Sequence, residues 1–416
     1  MAEENKIELK NHTMRHWLIV LACCGLAASA IGICSNTLGV FYTPVSNDLG
    51  VGRGAFAFHA TVGSLLTGFM GPVVAKLMKK YPMKLLMAGG IIIAAAATML
   101  MGLAHNLILF YALGLMRGFG CAFFTMMPLT TIISNWFAEK NGLAVGIAMS
   151  FSGLSGAVFN PIVSSLITNY GWSTAYFITG ICIFALAMPG VIFILRLNPS
   201  DCGLLPYGAK SERKADIKVT HKPEKVNFFN LTFISLAAFS TILCLVIGIA
   251  QHFSGYTESL GLGLTLGATM TSAGMVGNII SKLVIGVLSD KIGAFRSCQV
   301  MTFTNFIGLI GLMLLPKSNV TLLGCAFLYG FIYSITGAGT PLLVRQIYGP
   351  QRYAMAYSVV NIVTCIGSAF SLTIVGLIYD FTGSYYGAFT GGAVIDIIAI
   401  ALLLILMKRL KAGKGI

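Results

Sequence analysis

Lys282 and Arg117 are cations set inside stretches of otherwise apolar residues. A charge in hydrocarbon costs at least about 2.5–3.5 kcal/mol on insertion scales, so each demands a reason. One reason is chemical: a cation held out of water pairs strongly with an anion, above all a carboxylate. The other is structural. Lys282 stands eight residues before Asp290, near one end of its stretch, from which an ammonium can snorkel to lipid headgroups. Arg117 lies mid-stretch, where a guanidinium can tie helices together through backbone carbonyls, and Gly118 and Gly120 leave room for that. Spacing alone leaves both readings open. Asn278, one turn before Lys282, shares its helical face.

Among the acids only Asp396 lies deep in an apolar stretch. Burial can raise a carboxyl pKa by several units, enough to cycle near neutrality. A proton relay therefore competes with a neutral acid hydrogen-bonded to a neighbouring helix. His59 titrates nearer physiological pH when unperturbed, against the alternative of a satisfied buried imidazole. Asn36, Tyr329 and Tyr333 belong to a polar set that must face an interior, because polar groups exposed to lipid are costly. Such groups either line a cavity or hydrogen-bond helix to helix, and both uses are common; Tyr329 and Tyr333 are four apart, and the shared face this spacing predicts reads as cavity-lining. His252 and Glu258 read as gate or surface groups. There is no Walker loop, no H-E-x-x-H and no nucleophile with a base nearby, so neither an enzyme nor a cofactor or metal site is expected.

The elements that carry these residues follow from composition. Of 416 residues 56% are hydrophobic and 10% charged, against roughly 25% charged in soluble chains. The mean hydropathy is +0.86. Disorder, collagen, coiled coils and an ordinary cytosolic enzyme are excluded, and a multi-pass membrane protein is implied. None of the 10 cysteines forms a C-x-x-C pair, and they read as small buried hydrophobes. Twelve stretches are long enough to span a bilayer as helices. They run approximately over 17–42, 54–77, 84–105, 107–133, 142–168 and 174–197, then 231–255, 263–288, 296–315, 319–344, 353–379 and 385–407. The polar segment 198–230 separates a six-helix bundle, 1–197, from a second one, 231–416.

With the N-terminus placed in the cytoplasm, 23 of the 27 basic residues fall on cytoplasmic segments. Arg53 and Lys317 alone fall outside, and Arg117 and Lys282 lie within spans. The positive-inside rule then predicts a multi-pass protein of the cell membrane with both termini and the linker cytoplasmic. The net charge of +14 is a matter of topology and attraction to anionic lipid, not a nucleic-acid surface.

A shift of 211 residues aligns the halves: Ala75 falls on Gly286, Lys79 on Asp290, Pro82 on Gly293 and Thr179-Gly180 on Thr390-Gly391. Such a repeat suggests a rocking transporter with its site at the midplane. The run Gly286-x-x-x-Asp290-Lys291-x-Gly293-x-x-Arg296 resembles the signature loop of the major facilitator superfamily. Arg117-Gly-Phe-Gly120, Asn135-Trp136-Phe137, Gly142-Leu-Ala-Val-Gly146, Ser152-Gly153, Pro161 and Tyr170-Gly171-Trp172 resemble the monocarboxylate-transporter and oxalate/formate-antiporter branch. Asp48-Leu-Gly50 and Gly71-Pro72 agree. Three features depart from the branch. The first-half loop has Lys79 and Pro82 where an acid and a glycine are expected, Lys282 replaces an arginine, and the eleventh span lacks a lysine.

The resemblance implies an all-α membrane protein of twelve helices in two pseudo-symmetric halves. It implies a secondary transporter of small organic anions, most simply a proton-coupled symporter of lactate- or pyruvate-like monocarboxylates. The alternative is an anion exchanger similar to the oxalate/formate antiporters, for which two cations suit a dicarboxylate. A ligand sensor is the third reading, disfavoured because no signalling domain is attached. The family position favours Lys282 as a substrate cation. It makes Gly286, Asp290, Gly293 and Arg296 a cytoplasmic gating loop, and Arg117 heads an R-x-x-G pattern similar to one in proton-coupled members. The expected partners are a small carboxylate, protons or an exchanged anion, and membrane lipid, with the chain acting as a monomer. With no ATP-binding loop, gradients must drive it.

Overall fold

The computed structural model describes residues 2–137, 139–208 and 226–411; some helical side chains, those of residues 2–13 and of Asp290 among them, lie outside the description. Every long element among the described residues is a helix, and the bridge between Phe137 and Tyr207 is the one strand-like pairing. In lipid a backbone must satisfy its own hydrogen bonds, so apolar runs of this length have no other stable form.

The first run forms α1 (Ala2–Ala27), a π-helical turn (Ala28–Ile33) and α2 (Leu38–Leu49), with four turn residues at 34–37. Then come α3 (Arg53–Lys80), α4 (Met83–Met101), α5 (Leu107–Ala122), α6 (Met126–Trp136) and α7 (Asn141–Pro189). The C-terminal half contains α8 (Leu231–Ile247), α9 (Phe253–Ser259), α10 (Leu264–Ile292), α11 (Ala294–Leu314), α12 (Asn319–Tyr329), α13 (Ile332–Ser334), α14 (Thr340–Thr382) and α15 (Tyr386–Lys411). The side chain of the residue just before the helix caps α5, α8 and α12. Asn106 accepts the N–H of Leu109 at 2.8 Å, Asn230 that of Thr232 at 3.2 Å, and Ser318 that of Thr321 at 3.3 Å.

Nine stretches among the described residues are long and apolar enough to cross a membrane, where the sequence predicts twelve crossings. Continuity explains part of the difference. Ala144–Ile194 is one helical run of 51 residues, roughly twice what a ~30 Å hydrocarbon core needs, and it holds the fifth and sixth predicted spans. Gly171, at φ 83°, is the non-helical point between them. The fourth span divides into α5 and α6 at residues 123–125, leaving a 16-residue apolar helix, and α3 stands outside the nine.

The chain separates into two compact units. The first comprises Met1–Thr37, Leu66–Phe159 and Tyr170–Thr220. Its core includes Cys23, Leu26, Ile91, Phe124, Ile133 and Trp136, all buried. Trp136 Nε1 donates to the Arg196 carbonyl at 2.9 Å, so even the large ring leaves no orphan donor. The second comprises Leu38–Leu65, Asn160–Asn169 and His221–Ile416. Its core includes Leu236, Phe239, Phe253, Leu309, Tyr329 and Leu403. Here α10 and α12 touch backbone to backbone: a Cβ on Gly277 would lie 2.1 Å from the Phe327 carbonyl oxygen, and one on Gly330 would lie 2.0 Å from that of Gly274. Small residues at such crossings are how helices pack where lipid competes for apolar surface.

Large apolar side chains face outward on both units, among them Ile108, Phe193, Leu283, Val320 and Phe381. A water-soluble monomer does not expose so many; a lipid-solvated one must. The predicted linker is described only at its ends, and residues 209–225 lie outside the described residues.

Candidate functional site

In the second unit Lys282 sits half-buried on α10. Its stem runs beside the π-helical turn Ile335–Gly339, where a Cβ on Gly337 would be 3.4 Å from Lys282 Cε and 3.9 Å from Nζ. Among the described residues, none hydrogen-bonds or ion-pairs with its ammonium. Asn278, one turn earlier, is 5% exposed; its Oδ1 has no described partner and its Nδ2 has only the Met275 sulfur at 3.9 Å. Tyr333 is half-buried, and its hydroxyl too makes no hydrogen bond to a described residue. On α10 a cation and an amide one turn apart thus keep unused hydrogen-bonding capacity, and on α13 a phenol does. An ammonium and an amide N–H are donors that a carboxylate can accept from.

Tyr329 differs from its expected partner. It is fully buried, and its hydroxyl donates to the carbonyls of Val246 at 2.6 Å and Ile247 at 3.0 Å. The shared face predicted for Tyr329 and Tyr333 assumed an unbroken helix, whereas α12 ends at Tyr329 and a turn at Gly330–Phe331 precedes α13. Tyr329 ties the tenth span to the seventh instead.

Arg117, in the first unit, is 5% exposed on α5. The neighbouring thiols of Cys34 and Cys121 lie within reach of its charge. No described residue makes an ion pair or hydrogen bond with it. Asn36 donates from Nδ2 to the Ser152 carbonyl at 3.2 Å, which fixes the break after the first π-helical turn.

Asp396 is fully buried on α15 and accepts a 2.6 Å hydrogen bond from Asn305 Nδ2 on α11. Oδ1 of each residue lacks a described partner. A proton on Asp396 would join those two oxygens and close an acid–amide ring. His59 is fully buried, and its Nδ1 donates to the Phe56 carbonyl at 2.6 Å. Its ring rests against Phe56 and Tyr42, in the second unit and on a different element from Asp396.

In the signature loop Gly293 holds φ 84° and is the hinge between α10 and α11, a conformation that only glycine adopts cheaply. Gly286 faces open space. Arg296 is exposed and lines a surface cavity of about 400 Å³ with Gln346, Met407 and Leu410. The side chain of Asp290 lies outside the described residues.

Sequence reasoning missed one cluster, Arg53 with Asp380, Tyr379 and Tyr385. Arg53 is 9% exposed, donates to Tyr385 Oη at 2.8 Å and lies 4.0 Å over the Tyr379 ring. The only local signal was the Gly52-Arg53-Gly54 sequence opening α3.

An all-helical chain whose described residues present so apolar an exterior is a multi-pass membrane protein. Residues 23–371 match the Major Facilitator Superfamily, and the chain belongs to that family. It is 24% identical over 381 residues to monocarboxylate transporter 13 of Rattus norvegicus, covering 90% of this chain and 84% of that one. It is 24% identical over 399 residues to monocarboxylate transporter 12-B of Danio rerio, covering 90% and 83%. Among solved structures it is similar to the nucleoside transporter NupG, with a TM-score of 0.74 at 11% identity over 93% of this chain and 99% of that one.

Proposed function

We propose that the protein is a proton-coupled symporter of small monocarboxylates, lactate- or pyruvate-like, working by alternating access. The observation that carries this reading is Lys282, a half-buried cation with no described partner, beside Gly337 and one turn from the under-bonded Asn278. A positive charge left unneutralised in a membrane span is costly, and an anionic substrate supplies what is missing. The names of the relatives point the same way. Lysine offers a point charge where a bidentate arginine fork would demand planar geometry, so the site tolerates carboxylates of varied shape. Asp396 carries the co-transported proton in this reading, its acid–amide pairing with Asn305 storing the neutral form. The basic bias of one set of loops places both termini in the cytoplasm of a cell-membrane protein, with the two six-helix bundles as the rocking bodies.

Arg117, the second buried cation, favours one other reading, exchange of organic anions with room for a dicarboxylate. Uptake of labelled lactate, pyruvate, formate and oxalate into proteoliposomes separates the two. Accumulation driven by an inward proton gradient, and abolished by Lys282→Ala, supports symport. Uptake only into vesicles preloaded with anion supports exchange. Uptake indifferent to Lys282→Ala overturns the assignment of the lysine.

A further inference from the structure

The first N–H groups of a helix have no partner within it. At the start of α3 they find one 327 residues away. Asp380, near the end of α14, accepts the N–H of Arg53 through Oδ1 at 2.8 Å and the N–H of Gly54 through Oδ2 at 2.7 Å. The carboxylate thus meets the positive end of the α3 dipole with two charge-assisted bonds. The fit depends on glycine. A Cβ on Gly52 would lie 2.6 Å from Asp380 Oδ2, and a Cβ on Gly376 would lie 2.5 Å from the Cα of Gly54. Two backbones are in direct contact here.

Arg53 spreads the contact sideways. Its guanidinium donates to the Gly255 carbonyl on α9 at 3.2 Å and to Tyr385 Oη at 2.8 Å, and stacks on Tyr379. Two turns deeper, Thr61 Oγ1 donates to the Ala369 carbonyl at 2.8 Å and meets Thr373 Oγ1 at 2.8 Å. A seam from Gly52 to Thr61 therefore joins α3 to α14, both within the second unit. Its deep part is buried, and its rim, at Gly52 and Asp380, is exposed.

We propose that Asp380 and Arg53 are positioning residues for transport: they latch the first turn of α3 to α14 and must release for substrate to pass this end of the protein. The proposal rests on the transport reading, and the topology proposed above makes this end the outer one. The carboxylate is the clasp, because it accepts the N–H groups of both Arg53 and Gly54 at the helix terminus; the guanidinium braces the surrounding walls. The close glycine contact is the surface on which the clasp shuts.

The test uses the full-length protein in sealed, right-side-out vesicles with Thr61→Cys as a reporter beneath the latch. The rate of modification by a membrane-impermeant maleimide is read from each face, and the rate for the chain lacking the reporter is subtracted. Asp380→Asn should speed outside labelling by about tenfold, as expected for loss of a charge-assisted bond, and Asp380→Glu should restore part of the protection. Gly376→Ala wedges the same contact by sterics and should act in the same direction, so the result does not hang on one variant. A purely structural contact would lower the melting temperature of these variants and leave labelling unchanged, which overturns the latch. A rise seen only from the opposite face supports the latch and refutes the proposed orientation.

Discussion

Replacing Lys282 with methionine should make the protein more stable and strongly weaken its uptake at low substrate concentration. Methionine matches the unbranched stem and fills the same space beside Gly337, so packing is preserved. A lysine at the centre of a span costs about 2.5–3.5 kcal/mol on insertion scales. Lys282 is half-buried, so about 1–2 kcal/mol is the relevant share after solvation of its exposed part. No described partner is orphaned by the change, and this separates it from breaking a buried ion pair, which destabilises by several kcal/mol. On the transport side, a lost charge-assisted bond to a carboxylate is about 1.5–3 kcal/mol, which is roughly a 10- to 150-fold rise in the half-saturating concentration. The assay pairs thermal unfolding in detergent with initial uptake rates in proteoliposomes. Lys282→Arg keeps the charge and should retain most of the uptake. Normal uptake by Lys282→Met would refute the substrate role. A loss of a kilocalorie or more in stability would show that the lysine holds a structural contact instead.

Three further outcomes follow from the geometry. Asp396→Asn keeps a neutral side chain opposite Asn305 and should fold normally, but accumulation driven by a proton gradient should disappear while anion exchange persists; retained accumulation would remove Asp396 from the coupling path. Tyr329→Phe should cost about 1–2 kcal/mol of stability, since it strips the hydrogen bonds to Val246 and Ile247, whereas Tyr333→Phe should weaken uptake and leave the melting temperature alone; the reverse pattern would exchange their roles. Gly277→Ala should destabilise by about 1–3 kcal/mol, because its Cβ meets the Phe327 carbonyl oxygen, while Gly286→Ala faces open space and should be neutral or slightly favourable in unfolding measurements.

The parts of the site that were legible are those written as local contrast. Lys282 and Arg117 stand out because a charge inside an apolar run is conspicuous without any knowledge of its neighbours. Gly293 was marked by the signature loop, and its positive φ is the physical reason that loop carries a glycine. Tyr329 and Tyr333 went differently because i,i+4 spacing predicts a shared face only while the helix continues, and nothing in the composition of 329–333 beyond Gly330 announces the turn. The pairing of Asp396 with Asn305 spans 91 residues, and the bond from Asp380 to Arg53 spans 327. No periodicity carries information over such distances.

The sequence by itself determined that this protein lives in a membrane as a bundle of helices, because hydrocarbon forces an apolar backbone run to satisfy its hydrogen bonds locally. It also determined which charges the membrane must accommodate. Tertiary structure decided what those charges do, because that depends on the partners packing brings to them. Lys282 and Arg117 meet no counter-charge among the described residues, Asp396 meets an amide, and the carboxylate of Asp380 meets the bare end of a helix.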